Sequence, residues 1–211
     1  MGELIVAMKL NKSVIGPISL LIGLIVYYLL SIMAVYNYPG GFDINNDLWT
    51  HLRWFEYNPD GALFFRIGNV IYAATLMFFF LGLSGQIAVA AEKRFSKYLI
   101  QTIGISISVL MIIGEILSDQ AIIFVITSGV SLLLTAIILI GFPILLYDQK
   151  GFWKVSILLI IISIGLSSYL LYMGAIDAPI REFRIVDLLA TAFNQASIFT
   201  IASNMAKMQT N

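Results

Sequence analysis

The polar chemistry of this chain is concentrated in one stretch, Asn46 to Arg66, which reads NDLWTHLRWFEYNPDGALFFR and holds the single histidine and two of the three tryptophans. His51 follows Asp47 by four residues. On a helix, a carboxylate at that distance can orient an imidazole, as the acid does in a catalytic triad. The stretch therefore predicts one candidate chemistry, general acid–base catalysis by His51 with Asp47 or with the more distant Glu182.

The sequence lacks the other parts that such catalysis would need. No G-x-S-x-G motif presents a nucleophilic serine, and no HExxH or similar spacing presents metal ligands. There is no cysteine, which excludes thiolate ligands and disulfides. We therefore expect no metal and no cofactor. The alternative interpretation of His51 is a histidine that bonds locally to a carboxylate.

The composition is typical of a membrane protein. Hydrophobic residues make up 60% of the chain and charged residues 11%, and the mean hydropathy is +0.94. A soluble domain of this length does not bury that much apolar surface. The formal net charge is zero, so no overall field would recruit nucleic acid.

Six apolar runs are long enough to cross a hydrocarbon core, for which about 20 residues are needed. They cover approximately residues 13–36, 63–91, 98–117, 121–147, 153–174 and 184–206. Connections are short except after the first run, so consecutive helices should be antiparallel neighbours. The sequence thus predicts an all-α fold in which residues 1–211 form a single domain, an integral membrane bundle of six transmembrane helices.

The charges between these runs predict the orientation of the bundle, because cytoplasmic loops retain Lys and Arg. One side carries eight basic residues: Lys9, Lys12, Lys93, Arg94, Lys97, Lys150, Lys154 and Lys207. The other side carries four: Arg53, Arg66, Arg181 and Arg184. We therefore expect a multi-pass protein of the cell membrane with both termini in the cytoplasm.

In this topology the polar stretch lies outside the membrane, between the first two spans. Leu48, Leu52 and Phe55 are spaced at i, i+4 and i+7, which predicts a short interfacial helix whose apolar stripe faces the hydrocarbon or the bundle. Asp47 and His51 would then share the wetter side. The two tryptophans of the stretch suit the headgroup zone.

Polar residues also recur inside two of the spans, where they would face the bundle interior because lipid cannot solvate them. They lie at helical spacing: Arg66 and Asn69 in the second span, and Arg184, Asp187, Thr191, Asn194 and Gln195 in the last. Such a stripe either joins helices or lines a pathway. Gln101, Ser106, Ser108 and Glu115 in the third span are candidate partners.

Every basic residue on the outer side is an arginine, which suits planar pairing with carboxylates or phosphates at partly buried sites. We predict an ionic network that closes the mouth of an outward-opening polar pocket. The expected donors are Arg53 and Arg66, and the expected acceptor is Glu182 or Asp187. The expected floor consists of Asn69, Thr191, Asn194 and Gln195. The network would either join the helix ends or bind a lipid headgroup.

Two segments resemble a known family. The segment NPDGALFFRIG, Asn58 to Gly68, and the segment PIREF, Pro179 to Phe183, are similar to an uncharacterised prokaryotic family of six-span membrane proteins related to the DRAM/Frag/Sfk group. That group is implicated in lipid or lipid-anchor handling. The resemblance implies a six-helix bundle, and Glu182 is the acid that matches the family pattern.

The leading function expected from these patterns is non-enzymatic: binding or handling a lipid or other amphiphile at an outward-facing polar vestibule. The expected ligand-binding residues are Arg53, Arg66, Asn69, Glu182, Arg184, Asp187, Thr191, Asn194 and Gln195. One alternative is a membrane enzyme that acts on a lipid headgroup through His51 with Asp47 or Glu182. Another is a small transporter. Membrane lipids are the expected partners, nucleic acid is not, and a homo-oligomer stays open.

Overall fold

The computed structural model of the chain describes residues 2–44, 46–91, 94–117, 153–175 and 184–207, together with residues 129, 132, 135 and 136. Within these residues it contains α-helices, one 3-10 helix at Trp49–Arg53 and no strand. The α-helices are α1 (Gly2–Tyr36), α2 (Ala62–Ala91), α3 (Arg94–Ile116), α4 (Trp153–Ala175) and α5 (Arg184–Lys207). The predicted all-α fold class is therefore confirmed for the described part of the chain.

Four of these helices are long and apolar enough to cross a membrane. The stretches are Ile15–Tyr36 in α1, Ala62–Ser84 in α2, Tyr98–Ile116 in α3 and Ile185–Ser203 in α5. In α4 the apolar stretch, Lys154–Leu170, is shorter. These helices are compatible with a membrane protein, as the composition predicts.

The described residues contain five α-helices rather than the six predicted spans. The predicted fourth span, 121–147, lies outside the described residues except at 129, 132, 135 and 136, which are helical. The first helix begins at Gly2, whereas the apolar run predicted a start near residue 13. The other helix bounds agree with the apolar runs more closely, since the length of each run sets the length of the helix.

The apolar side chains of the helices divide into a core and an exposed face. Tyr27 of α1, Phe65 and Phe79 of α2 and Ile107 of α3 are each at most 2% exposed. On α1 a stripe at heptad-like spacing is instead 50% to 62% exposed: Ile18, Ile22, Ile25, Leu29 and Ile32. A helix with an apolar exposed face in addition to an apolar core face is what a lipid environment favours.

The helices α1 and α2 pack closely along small residues. A Cβ atom on Gly23 would lie 2.8 Å from Thr75 Cβ, so only glycine permits this approach of the two backbones. At the far side of α2, a Cβ on Gly104 of α3 would lie 2.8 Å from Cδ2 of the Phe80 ring. Small residues at helix contacts are the usual means by which membrane helices pack closely.

Residues 37–61 join α1 to α2, and we call them the α1–α2 loop. Gly40 and Gly41 have φ angles of +75° and +88°, a backbone region that favours glycine. The 3-10 helix follows, and the loop then ends in a turn in which the Gly61 N–H donates to Asn58 Oδ1 at 3.1 Å. This loop carries most of the residues that the sequence marks as chemically capable.

Candidate functional site

The α1–α2 loop is bonded to the ends of three helices. Trp49 Nε1–H donates to the Tyr27 hydroxyl of α1 at 2.9 Å, and the Thr50 N–H donates to Asp187 Oδ2 of α5 at 3.0 Å. Asn58 Nδ2–H donates to the backbone oxygen of Ala34 in α1 at 3.1 Å. Arg66 of α2 donates from Nε to the backbone oxygen of Arg53 at 2.8 Å. The loop therefore covers the end of the bundle where these helices meet.

A buried ion pair adds α3 to this arrangement. Arg53 Nη2 lies 3.3 Å from Glu115 Oε1, and the two side chains are 10% and 7% exposed. The Arg53 guanidinium also lies 5.6 Å from the centroid of the Phe65 ring. Charged side chains that are this nearly buried are stable only when they are paired. Arg53 and Glu115 meet this condition by pairing with each other.

Of the predicted ionic network, the described residues show one ion pair, between Arg53 and Glu115. Asp187 accepts a hydrogen bond from the Thr50 N–H. The predicted pairing of Arg53 or Arg66 with Glu182 or Asp187 stays a prediction. Glu182 and Arg181 lie outside the described residues, as does the PIREF segment. Glu115 was expected only as a candidate partner, and the signal was a lone acid near the end of an apolar span.

His51 does not occupy the wetter position that helical spacing predicted. It is 5% exposed, and its Nδ1 accepts the Leu48 N–H at 3.4 Å. Its ring stacks on the Tyr57 ring with centroids 4.3 Å apart and an interplanar angle of 7°. The physical reason is the 3-10 geometry: with about three residues per turn, Leu48, His51 and Trp54 share a face.

The same geometry explains where the residues of the predicted apolar stripe lie. Leu48 and Leu52 are buried, at 7% and 0% exposed, but Phe55 is 42% exposed. The predicted short helix is present as the 3-10 turn. Phe55 does not share the buried side of the two leucines, because a turn with about three residues per turn does not bring residue i+7 onto the same face; that Phe55 faces hydrocarbon stays a prediction.

The candidate catalytic pair, His51 and Asp47, does not form a hydrogen bond. Asp47 Oδ1 accepts from the Tyr38 hydroxyl at 3.1 Å, and Asp47 Oδ2 accepts from the Asp43 N–H at 2.8 Å. Burial lowers the pKa of His51, and the negative charge of Asp47 opposes that shift. Burial and the same carboxylate raise the pKa of Tyr38 to about 12. The imidazole is therefore a buried neutral group rather than an oriented base.

Three of the four residues of the predicted pocket floor form hydrogen bonds within or between helices. Thr191 Oγ1 donates to the Asp187 backbone oxygen at 3.1 Å, and Asn69 Nδ2 donates to the Phe65 oxygen at 3.2 Å. Gln195 Oε1 of α5 accepts from the Tyr28 hydroxyl of α1. Asn194 Oδ1 is buried without a partner in the described residues. Of these three bonds, the one between Tyr28 and Gln195 joins two helices, whereas those of Thr191 and Asn69 lie within α5 and α2. The Arg184 side chain is outside the described part.

Arg66 lies at the surface of this end of the bundle, beside apolar side chains. Its guanidinium carbon is 4.3 Å from the centroid of the Phe55 ring. Phe55, Leu63 and Ile67 are 42%, 55% and 42% exposed. A guanidinium thus adjoins an exposed apolar patch. We call these four residues the Arg66 surface.

Comparisons of the chain with protein-family models, with curated proteins and with solved structures found no match. The resemblance to the six-span family related to the DRAM/Frag/Sfk group therefore stays a prediction. In the described residues no three His, Asp or Glu side chains cluster as metal ligands would.

Proposed function

We propose that the chain is a six-span, non-enzymatic membrane protein that binds or handles a lipid or another amphiphile where the α1–α2 loop meets the helix ends. In this proposal residues 121–147 form the fourth of the six spans, both termini are cytoplasmic and the loop faces outward. The unequal distribution of lysine and arginine between the loops supports this orientation. The resemblance to the DRAM/Frag/Sfk-related family supports a lipid as the ligand class.

The Arg66 surface is the observation that carries the proposal. An amphiphile needs a polar partner and an apolar surface side by side. Arg66 provides the first, and the exposed Phe55, Leu63 and Ile67 provide the second. A phosphate or carboxylate oxygen accepts charge-assisted hydrogen bonds from a guanidinium, while acyl chains cover the neighbouring apolar side chains.

The buried charges behind this surface give it a fixed shape. The bond from Arg66 Nε to the Arg53 oxygen orients the guanidinium, and Arg53 is in turn held by Glu115. Ionisable residues at membrane depth are rare and usually mark a functional site. This support distinguishes the Arg66 surface from a flexible arginine on an ordinary loop.

The enzyme alternative has less support from the geometry. His51 Nδ1 is occupied by the Leu48 N–H, and Tyr57 lies flat against the imidazole. A general base needs direct or one-water access to the proton it removes. Binding without turnover therefore remains the better proposal.

A native mass spectrum of the gently purified protein tests the proposal. We expect the protein to retain about one amphiphile per chain, and Arg66→Gln to weaken its retention about tenfold, since a hydrogen bond to a charged group contributes about 1.5 to 3 kcal/mol. The matched control is Lys154→Gln, which removes an exposed positive charge from α4 and should retain the amphiphile as the unaltered chain does.

A different result would assign Arg66 to structure alone. If Arg66→Gln lowers the unfolding temperature but retains as much amphiphile as the unaltered chain, the surface only joins helix ends. Thermal unfolding of both variants in the same detergent separates these outcomes.

A further inference from the structure

Two buried N–H groups of the α1–α2 loop lack an acceptor. His51 Nε2 and Trp54 Nε1 are both buried and have no hydrogen-bond partner among the described residues. Buried polar groups in proteins are almost always hydrogen-bonded, and an unpaired buried donor is destabilising. Two such donors on one face of one turn indicate that an acceptor belongs there.

The tautomer of His51 follows from its other nitrogen. Nδ1 accepts the Leu48 N–H at 3.4 Å, so it carries a lone pair. Burial lowers the pKa of His51, and the single proton of the neutral ring must then be on Nε2. The indole Nε1 of Trp54 is always a donor. The two unpaired groups are therefore both donors, and both require an oxygen that accepts.

The two donors belong to one small patch. The His51 and Trp54 ring centroids lie 5.9 Å apart with an interplanar angle of 37°. Tyr57 stacks on His51, and its ring centroid lies 5.7 Å from that of Trp54. Trp54 and Tyr57 are only partly buried, so the patch reaches the surface of the protein through these two side chains.

The local charges select an uncharged acceptor. Asp47 acts on His51 electrostatically, and a second negative group beside it would be repelled. His51 and Trp54 lie in the connection between two stretches that are long and apolar enough to span a membrane, Ile15–Tyr36 and Ala62–Ser84. At that level of a bilayer the uncharged acceptors are the ester carbonyls of acyl chains, and tryptophan is enriched there.

We propose that His51 Nε2–H and Trp54 Nε1–H bind the ester carbonyl oxygen of an acyl amphiphile. The inference rests on the proposed function and adds the class of ligand. Arg66 donates to the backbone oxygen of Arg53, which lies between the two donors in the chain. In this proposal one molecule places its headgroup at Arg66 and its carbonyl at His51 and Trp54.

Two matched lipids test this assignment. Diacyl phosphatidylcholine and dialkyl ether phosphatidylcholine of equal chain length differ only at the carbonyl groups. Native mass spectra of the delipidated full chain, titrated with each lipid, should show about fivefold to tenfold tighter binding of the diacyl form, as expected for the loss of one or two hydrogen bonds. His51→Phe and Trp54→Phe should each reduce that preference, because both keep an aromatic ring and lose the donor.

Two further variants complete the test. His51→Gln keeps a donor near the position of Nε2 and should retain part of the preference. Trp49→Phe removes an N–H that is already bonded to Tyr27, so it should leave the preference unchanged.

Equal binding of the two lipids by the unaltered chain would overturn the inference. If Arg66→Gln still weakens the binding of both lipids, the proposed function stands without the carbonyl assignment. If the unaltered chain binds neither lipid and retains no co-purified amphiphile, the proposed function itself is contradicted. A water molecule that occupies both donors with and without lipid would also overturn the assignment.

Discussion

At the scale of single residues, the pairing of Arg53 with Glu115 takes two charged groups out of water at this end of the bundle. Both side chains are nearly buried, at 10% and 7% exposed, and a buried pair offsets the loss of hydration only while both members are present. The ion pair positions the α1–α2 loop, because it joins α3 to the turn that carries His51 and Trp54.

Loss of one member of this pair should be more damaging than loss of both. We expect Glu115→Met to destabilise the protein by about 3 kcal/mol, because it removes the carboxylate that pairs with the nearly buried Arg53. The double variant Arg53→Met, Glu115→Met should recover most of that loss. Unfolding in detergent measures both, with Glu56→Gln, an exposed acid of the same loop, as the neutral control. Equal loss in the single and double variants would contradict a buried ion pair.

The depressed pKa of His51 makes stability depend on pH. Its ordinary value is 6.5, and burial lowers it in the folded chain, so between the folded-state pKa and 6.5 the unfolded chain binds more protons. The contribution of the neutral His51 to the free energy of unfolding is fully present above pH 6.5. It is lost as the pH falls from 6.5 to the pKa of His51 in the folded chain. The unfolding temperature should therefore rise with pH up to about 6.5, and less steeply in His51→Phe. Identical slopes in the two proteins would rule out a buried neutral imidazole.

At the scale of elements, α1 and α2 form the central contact of the described fold, and its closeness depends on glycine. We expect Gly23→Ala to destabilise the protein by about 1 to 3 kcal/mol, because its Cβ would collide with Thr75. Among the described residues, a Cβ atom on Gly165 of α4 would have no neighbouring atom within 4 Å, and Gly165→Ala should therefore be neutral or slightly stabilising.

Thermal unfolding of these variants, and of Gly23→Ala combined with Thr75→Ala, measures the prediction. The second substitution should restore part of the stability, because it removes Oγ1 and Cγ2 of Thr75, which the new Cβ would also meet, and keeps only the Thr75 Cβ. If Gly23→Ala and Gly165→Ala behave alike, the two helices are farther apart than the structure places them.

The bounds of the helices were predictable where a single property, the length of an apolar run, determines them. The length of an apolar run determines where a membrane helix begins and ends, so α2 to α5 lie close to their predicted bounds. The 3-10 turn was not predictable from a pattern of three apolar residues. Because it has about three residues per turn, His51 is buried and Phe55 is exposed, in contrast to the positions expected for an α-helix. The partner of Arg53 could not be predicted either, because the rotation of α3 about its axis, which brings Glu115 to the loop, depends on packing rather than on spacing.

At the scale of the whole molecule, the proposed function depends on which side of the membrane the α1–α2 loop faces. Residues Asn45 and Lys150 should lie on opposite sides in a six-span protein with cytoplasmic termini. Because the chain has no cysteine, single cysteines at these two positions can be labelled without background. Asn45→Cys should react from outside a sealed cell and Lys150→Cys only after permeabilisation. Labelling of both from the same side would contradict the six-span topology.

Binding of an amphiphile at the Arg66 surface can be observed in place by site-specific photo-crosslinking. A photoreactive phenylalanine analogue at position 55 probes the surface. The same analogue at Tyr172 of α4, where the side chain is 59% exposed, reports contact with bulk lipid. We predict a single acyl amphiphile adduct of defined mass at position 55, absent when Arg66 is replaced by glutamine. The same mixed adducts at both positions, whether or not Arg66 is present, would contradict binding at this surface.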